Sequence, residues 1–135
     1  MEKIHSFILL GKTGDGKSSL ARFLSDTKDP NKFKIFDGRK SGTSEIDEET
    51  FSFENEKFSV IDTPGFFDSN QEKIKDNDIK IIDAIKNCKN PLSSILVIVN
   101  FQISRIDEPA QICIQKIAEI FPMNDFWKHI IIIFT

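Results

Sequence analysis

The sequence predicts an α/β fold in which helices cover both faces of a mostly parallel β-sheet, a three-layer sandwich with one antiparallel edge hairpin. Three observations predict it. Short apolar runs alternate with amphipathic segments, one pair of alternating segments is separated by only two residues, and glycine-rich polar segments follow the apolar runs directly. With 135 residues, the chain is predicted to form one domain, residues 1–135, that is long enough to bury a core.

The first apolar run, Ile4 to Leu10, predicts a strand that is buried on both faces of a parallel sheet. His5 lies within this run and is expected to be a half-buried structural side chain. The next helix is predicted over Ser18 to Ser25. Its expected buried face consists of Leu20, Phe23 and Leu24.

Residues Asp26 to Glu45 show no hydrophobic period and are expected to form a long polar loop. After this loop, the segments Thr50 to Glu54 and Lys57 to Asp62 alternate polar and apolar residues. Because only Asn55-Glu56 separates them, they predict an antiparallel hairpin. A second loop is expected from Phe66 to Lys75.

The second half of the chain predicts helix, strand, helix and strand. A helix is expected from Asp76 to Cys88, followed by a buried strand over Ser94 to Phe101. Asp107 is expected to start a helix that reaches about Ile120, and Ile130 to Phe134 is the last strand. The side chains expected to pack inside are Ile79, Ile81, Ile82, Ile85 and Cys88 in the first helix and Cys113, Ile117, Ile120 and Phe121 in the second. Phe126 and Trp127 are expected to pack beside the start of the last strand.

Composition and charge argue against several classes of protein. A formal charge of −3 at pH 7 gives no support for a nucleic-acid binder, which would show a basic face. The two cysteines, Cys88 and Cys113, lack metal-ligand spacing and are expected to be reduced packing residues of a cytoplasmic protein. We expect no signal peptide, because MEKIHSF leads almost at once into the first strand, and no apolar run approaches the ~18–20 residues that span a bilayer.

The most informative segment is Gly11 to Ser19, GKTGDGKSS, between the first strand and the first helix. It fits G-x-x-x-x-G-K-[ST] in the strand–loop–helix setting that this pattern requires. Its glycines allow backbone amides to curl around phosphate oxygens at a helix N-terminus. Lys17 is expected to neutralise the β- and γ-phosphates, and the Ser18 hydroxyl to bind Mg²⁺. The expected phosphate-binding residues are Gly11, Lys12, Thr13, Gly14, Asp15, Gly16, Lys17, Ser18 and Ser19.

A second motif, DTPG from Asp62 to Gly65, ends the second hairpin strand. Asp62 is expected to hold Mg²⁺ or its water, and the Gly65 amide to donate to the γ-phosphate until hydrolysis removes that phosphate. A hydroxyl from the long loop should complete the Mg²⁺ site, with Thr43 as first choice and Ser44 as second. The alternatives are a simple strand-ending turn and a solvent-exposed loop threonine.

With these residues placed, the chain resembles the GTPases of immunity-associated proteins, also called the plant avirulence-induced (AIG-type) GTPases. These are septin-like members of the translation-factor-related phosphate-loop class. Three segments carry the resemblance and cover most of the chain. FILLGKTGDGKSSL is similar to the first motif of the family, and KSGTS followed by VIDTPGFFDS resembles its switch threonine and second motif. SILVIVNFQISRIDEPAQICIQKIAEIF resembles a family-specific box, in which Arg105 matches while Ser104, Ile106 and Asp107 depart.

The resemblance implies a phosphate-loop GTPase domain that binds GTP or GDP with Mg²⁺ and acts as a GTP-controlled switch or assembly scaffold. It also implies a guanine-reading Thr-x-x-Asp motif after the last strand, of which this sequence holds only Thr135. The preference for guanine over adenine is therefore implied by resemblance alone. A domain incomplete at its C-terminal end is expected, with Ile130 to Phe134 as an unpaired apolar sheet edge.

Intrinsic hydrolysis is expected to be slow. Small GTPases place a glutamine directly after the glycine of the second motif, whereas this chain has Phe66, which cannot orient a water. The resemblance suggests homo-oligomers that meet through their nucleotide faces, where Arg105 would reach a neighbour's phosphates. The alternative is a surface arginine paired with Asp107 or Glu108. Two other functions stay open: a truncated or degenerate domain that serves as an interaction module, and an adenine-nucleotide NTPase.

Overall fold

A computed structural model describes residues 3–11, 16–33, 46–63, 71–100 and 126–135, with residues 111, 115 and 118 between them; at 71–78 and 126 it describes the backbone alone. Its strands are β1 (Ile4–Gly11), β2 (Asp47–Phe53), β3 (Glu56–Asp62), β4 (Leu92–Val99) and β5 (Ile130–Phe134). Its helices are α1 (Lys17–Ser25), α2 (Gln71–Lys86) and a 3₁₀ helix, Phe126–His129.

The strands form one sheet in the order β2-β3-β1-β4-β5. β1 lies at its centre and pairs in parallel with β3 and β4, and β4 pairs in parallel with β5. Only the β2–β3 pair is antiparallel among the described strands. The predicted mostly parallel sheet with an edge hairpin is confirmed. Because four strands run the same way, their carboxyl ends meet at one edge of the sheet, where such sheets bind ligands.

Apolar side chains bury the sheet on both faces. Along β1, Ile8 packs into a cluster with Ile81 of α2, while its neighbour Leu9 packs into a second cluster with Ala21 of α1. Ile8 and Leu9 are both fully buried, and burial of such a side chain contributes roughly 1.5–3 kcal/mol. α1 and α2 therefore cover opposite faces, as the predicted three-layer sandwich requires.

The hairpin turn lies one residue earlier than predicted, at Glu54-Asn55 instead of Asn55-Glu56. Both turn residues have positive φ, 48° and 67°. Two-residue turns of that kind match the twist of the flanking strands, and asparagine tolerates the conformation well. β2 also begins at Asp47, before the predicted start at Thr50.

The predictions of the buried faces of α1 and α2 are both partly wrong. In α1, Phe23 is 80% exposed, whereas Ala21 is fully buried. In α2, Ile81 and Ile85 are buried at the i, i+4 spacing of one helix face, while Ile79 is 56% exposed. The predicted bounds also differ, because α2 spans Gln71–Lys86. Residues 71–75, predicted as loop, are therefore helical.

The described elements near the C-terminus have the predicted type, but some of their bounds and contacts differ from the prediction. β5 has its predicted bounds and forms a sheet edge, and β4 begins and ends two residues earlier than predicted. Trp127 was expected to pack against the last strand but is 63% exposed.

Most of the helix predicted from Asp107 lies outside the described residues, although residues 111, 115 and 118 within it are helical. Cys88 follows α2 and packs against the core as a free thiol, whereas Cys113 is outside the described part.

The segment between α1 and β2 is anchored by Phe33, where the sequence predicted only polar loop. The Phe33 side chain is 1% exposed, and its backbone amide donates to Asp47 Oδ2 at 2.8 Å. Lys32 Nζ donates to Asp47 Oδ1 at 3.1 Å and to the Glu48 carbonyl oxygen at 2.7 Å. Arg22 Nη1 donates to the Lys32 carbonyl oxygen at 2.5 Å. This segment is therefore tied to both α1 and β2.

These contacts predict a change in stability at alkaline pH. The hydrogen bond to Asp47 and the charges of Asp47, Glu49 and Asp29 outweigh burial and raise the pKa of Lys32 above its ordinary value of 10.5. The stabilisation is therefore fully present below pH 10.5 and is lost as the pH rises through the folded-state pKa. We expect the unfolding free energies of wild type and Lys32→Met to differ by about 1 kcal/mol or less, and the difference to shrink above that pH. A difference that stays constant into strong alkali would contradict the pairing.

Candidate functional site

The candidate site lies at the carboxyl edge of the parallel strands, where β1 ends at Gly11, β3 ends at Asp62 and α1 begins at Lys17. Six of the predicted site residues are described by the structure and lie on these elements or next to them: Gly11, Gly16, Lys17, Ser18, Ser19 and Asp62. The others lie outside the described residues: Lys12, Thr13, Gly14, Asp15, Thr43, Ser44, Gly65, Phe66 and Arg105. Their roles stay predictions.

The two predicted metal-binding side chains of the described part contact each other. Ser18 Oγ donates a hydrogen bond to Asp62 Oδ2 at 2.5 Å, although 44 residues separate them. Asp62 is fully buried, and its other oxygen, Oδ1, accepts from the Thr63 amide at 3.0 Å. Both carboxylate oxygens are therefore oriented by donors.

Lys17 places a positive charge at the same edge. It is the first residue of α1, and its side chain is only 5% exposed. The first backbone amides of a helix have no acceptor within the helix, and the helix dipole makes this end positive. Lys17 and the N-terminus of α1 thus lie directly before Ser18 in the chain, which is an arrangement suited to phosphate.

The backbone requires glycine at two positions of this edge. Gly16 precedes α1 with φ 92°, in the left-handed region that side chains disfavour. At Gly11 the reason is space, because a Cβ there would lie 2.8 Å from the carbonyl oxygen of Ile98 in β4. Gly11 therefore allows β1 and β4 to pack closely where the phosphate loop begins.

Gly11→Ala is expected to destabilise the fold. The new methyl group would meet backbone of β4, which cannot rotate away as a side chain can. Overpacking of this kind destabilises by roughly 1–3 kcal/mol. Urea unfolding of the variant and the wild type measures the effect. An unchanged unfolding midpoint would show that β1 and β4 are not held this closely.

The end of β5 reaches the same edge through Thr135. Its backbone amide donates to the Val99 carbonyl oxygen at 2.9 Å. Its methyl carbon lies 3.7 Å from the position that a Cβ on Gly16 would take. The resemblance assigned Thr135 only to the base-reading motif, so its proximity to the phosphate-loop glycine was not predicted. A contact between the two ends of a chain leaves no pattern in the sequence.

Thr63 is a further residue of this edge that was not singled out from the sequence. It is fully buried, and its hydroxyl donates to the Leu9 carbonyl oxygen at 2.6 Å. The only signal for it in the sequence is its place directly after Asp62.

Ser18 and Asp62 fit a Mg²⁺ site that nucleotide and water complete. Hydroxyl and carboxylate oxygens are the hard ligands that Mg²⁺ prefers, and these two already lie within 2.5 Å of each other. Among the described residues, no group of three or more His, Cys, Asp or Glu side chains could hold a metal. Mg²⁺ usually binds one or two carboxylates plus substrate phosphates.

None of the described helices has the length and apolar composition of a membrane span.

The sequence profile of the AIG1 family matches residues 5–135. The chain belongs to the AIG1 family. The AIG-type resemblance carried by the three sequence segments is therefore confirmed, and the family match includes both the phosphate loop and Asp62. A comparison with curated protein sequences gives no significant match.

The AIG1-family chain is also similar to solved structures. Toc33 from Arabidopsis thaliana in complex with GDP and Mg²⁺ has a TM-score of 0.67 and 18% identity, over 96% of this chain and 49% of that one. Toc33 in complex with Mg²⁺ and GMPPNP has a TM-score of 0.66 and 19% identity, over 97% and 50%. A structure of the chloroplast translocon components atToc33 and psToc159 has a TM-score of 0.72 and 16% identity, over 97% and 49%. These likenesses confirm the fold, and the chain spans about half the length of each of these proteins.

Proposed function

We propose that this AIG1-family chain is a guanine-nucleotide-binding domain that holds GTP or GDP together with Mg²⁺. The observation that carries the proposal is the hydrogen bond of Ser18 to Asp62 beside the N-terminus of α1, where Lys17 also lies. The Toc33 structures in complex with GDP and Mg²⁺ and with GMPPNP and Mg²⁺ support it. A cytoplasmic location, expected from the sequence, stays a prediction.

Each described site residue has a part in binding under this proposal. Lys17 neutralises the terminal phosphates, and the first amides of α1 donate to phosphate oxygens. Ser18 and Asp62 would hold Mg²⁺, directly or through a water. When bound, Mg²⁺ supplies positive charge to the phosphate oxygens and so lowers the barrier to phosphoryl transfer. Gly16 keeps the backbone path that brings the α1 amides to this position.

The proposal includes a switch that depends on residues outside the described part. Thr43 is the candidate that completes the Mg²⁺ site from the long loop, and the Gly65 amide is the candidate contact to the γ-phosphate. Loss of that phosphate would release both segments. Hydrolysis to GDP and phosphate is expected to be slow for a single chain, because Phe66 cannot orient the attacking water.

Assembly through the nucleotide faces is the proposed way to faster hydrolysis. For the chloroplast translocon components atToc33 and psToc159, dimerization is important for the GTPase activity. In this chain, Arg105 would supply charge to a neighbour's phosphates, and such a contribution raises the rate by ~10³–10⁵ in other GTPases. A surface arginine paired with Asp107 or Glu108 is the alternative.

The test is a titration of the purified chain with fluorescently labelled GTP and ATP, each with and without Mg²⁺. We expect GTP to bind more tightly than ATP and Mg²⁺ to strengthen GTP binding. Circular dichroism on the same samples establishes that the protein is folded. A folded sample that binds neither nucleotide would overturn the proposal and favour an interaction module instead. The exposed apolar side chains of Trp127, Ile131 and Phe134 around the β5 edge would suit such a module. Equal affinity for ATP and GTP would favour a general NTPase.

A further inference from the structure

Thr63 connects the central strand of the sheet to the carboxylate of Asp62. Its hydroxyl donates to the Leu9 carbonyl oxygen at 2.6 Å, and its backbone amide donates to Asp62 Oδ1 at 3.0 Å. Leu9 and Asp62 are the last paired residues of β1 and β3. The hydroxyl therefore adds one hydrogen bond directly after the end of this ladder. A single residue thus holds the end of β3 against β1 and also binds the carboxylate.

This arrangement restricts Asp62 more than strand pairing alone would. The side chain of an aspartate at a strand end can rotate about two torsions, so its oxygens have no fixed direction. Here the Thr63 amide binds Oδ1, and the Ser18 hydroxyl binds Oδ2. The direction of the Thr63 amide depends on the backbone of residue 63, which the bond to Leu9 holds in place. Since Thr63 is fully buried, water cannot readily replace that bond.

We propose that Thr63 is a positioning residue of the metal site, whose hydroxyl holds the Asp62 carboxylate towards Ser18 and so raises the affinity for Mg²⁺. The inference rests on the proposed function and adds a residue to it. Groups that orient metal ligands typically change metal affinity by about 10- to 100-fold when they are removed. The hydrogen bonds of Thr63 go to Asp62 and Leu9, so we expect the metal-free contacts between phosphate and α1 to be preserved.

The test compares Thr63→Val, which keeps the shape of the side chain and loses the hydroxyl, with Thr63→Ser, which keeps the hydroxyl. The affinity for labelled GDP is measured in Mg²⁺ and in a chelator, and the ratio of the two affinities gives the contribution of the metal. We expect Thr63→Val to lower this ratio by on the order of tenfold, with the metal-free affinity unchanged. Thr63→Ser should restore the ratio of the wild type.

Ser59→Ala is the matched control, because it removes a fully buried hydroxyl within β3, close to Thr63 in the sequence. That hydroxyl donates to the Glu48 carboxylate and has no bond to Asp62. A loss of buried hydrogen bonding lowers stability in both Ser59→Ala and Thr63→Val, as urea unfolding would record. Only Thr63→Val should also lower the Mg²⁺ ratio. A role of Thr63 in stability alone would leave the ratio unchanged in both.

A measurement on the wild type covers the case in which Thr63→Val does not fold. In an NMR titration of the GDP complex with Mg²⁺, the Thr63 amide should shift strongly, because its acceptor oxygen belongs to the metal-binding carboxylate. A Thr63 amide that stays unchanged while the Gly16 amide shifts would overturn the inference.

The possible outcomes separate the two proposals. A reduced Mg²⁺ ratio in Thr63→Val that Thr63→Ser restores supports the positioning role. An unchanged Mg²⁺ ratio in Thr63→Val, or an equal loss of the ratio in Thr63→Val and Thr63→Ser, overturns that role. Either result leaves the proposed function standing. A wild type without Mg²⁺-dependent nucleotide binding overturns both.

Discussion

Lys17→Met is expected to weaken GTP binding by on the order of 100-fold, because a hydrogen bond to a charged group contributes roughly 1.5–3 kcal/mol. Methionine keeps the unbranched stem of the side chain, which is 95% buried with the rest of Lys17. The change therefore removes the ammonium group and little of the packing. A titration with labelled GTP in Mg²⁺ measures the loss, and circular dichroism checks the fold.

Lys28→Met is the control for this charge change. The Lys28 side chain is 86% exposed and pairs with Asp26 after the end of α1. The variant loses one positive charge, as Lys17→Met does, but far from the start of the helix. We expect its GTP affinity to match that of the wild type. If both variants bind GTP equally well, Lys17 does not contact the phosphates and the proposed site is wrong.

Phe33→Ala is expected to have the largest effect on stability, about 3–5 kcal/mol, as is typical when a buried phenylalanine is truncated. Phe33 is 1% exposed and packs with Leu9 and Val60 on the α1 face of the sheet. The truncation would leave a cavity in this cluster and loosen the segment that Asp47 and Lys32 tie to β2. Urea unfolding gives the difference in unfolding free energy.

Phe23→Ala makes the same chemical change at an exposed position. Phe23 lies on α1, close in sequence to Phe33, and is 80% exposed. Changes at such positions usually stay within about 0.5 kcal/mol. The burial of these two residues was predicted in the reverse order from the sequence, which placed Phe23 in the core and Phe33 in a polar loop. Equal destabilisation by both variants would contradict the packing seen in the structure.

The fold class followed from the sequence because the sheet is buried on both faces. A strand covered on both faces carries a continuous apolar run, and β1 and β4 show such runs over residues 7–10 and 95–99. The hairpin could be predicted from the alternation of polar and apolar residues, since one face of β2 is more polar than the other. Helix ends and faces were harder to predict. α2 carries isoleucines at positions 79, 81, 82 and 85, and periodicity alone does not say which of them face the sheet.

For the site, the sequence by itself determined which chemical groups are present. The glycines, Lys17 and Ser18 are close along the chain, so their spacing alone indicates a phosphate loop. Asp62 was assigned by its place at the end of the third strand. The roles of Thr43, Gly65 and Arg105 still rest on the sequence, because these residues lie outside the described part.

Only the tertiary structure decided how the distant groups meet. Ser18 and Asp62 are 44 residues apart and Thr63 and Leu9 are 54 apart, yet each pair shares a hydrogen bond of 2.6 Å or less. The physical reason is that parallel pairing of β1 with β3 aligns their carboxyl ends, and no local propensity encodes that register. The same holds for Phe33, which is buried and whose amide donates to Asp47, 14 residues away. The sequence predicted a phosphate loop, and the tertiary structure brought Ser18 and Thr63 into contact with the carboxylate of Asp62.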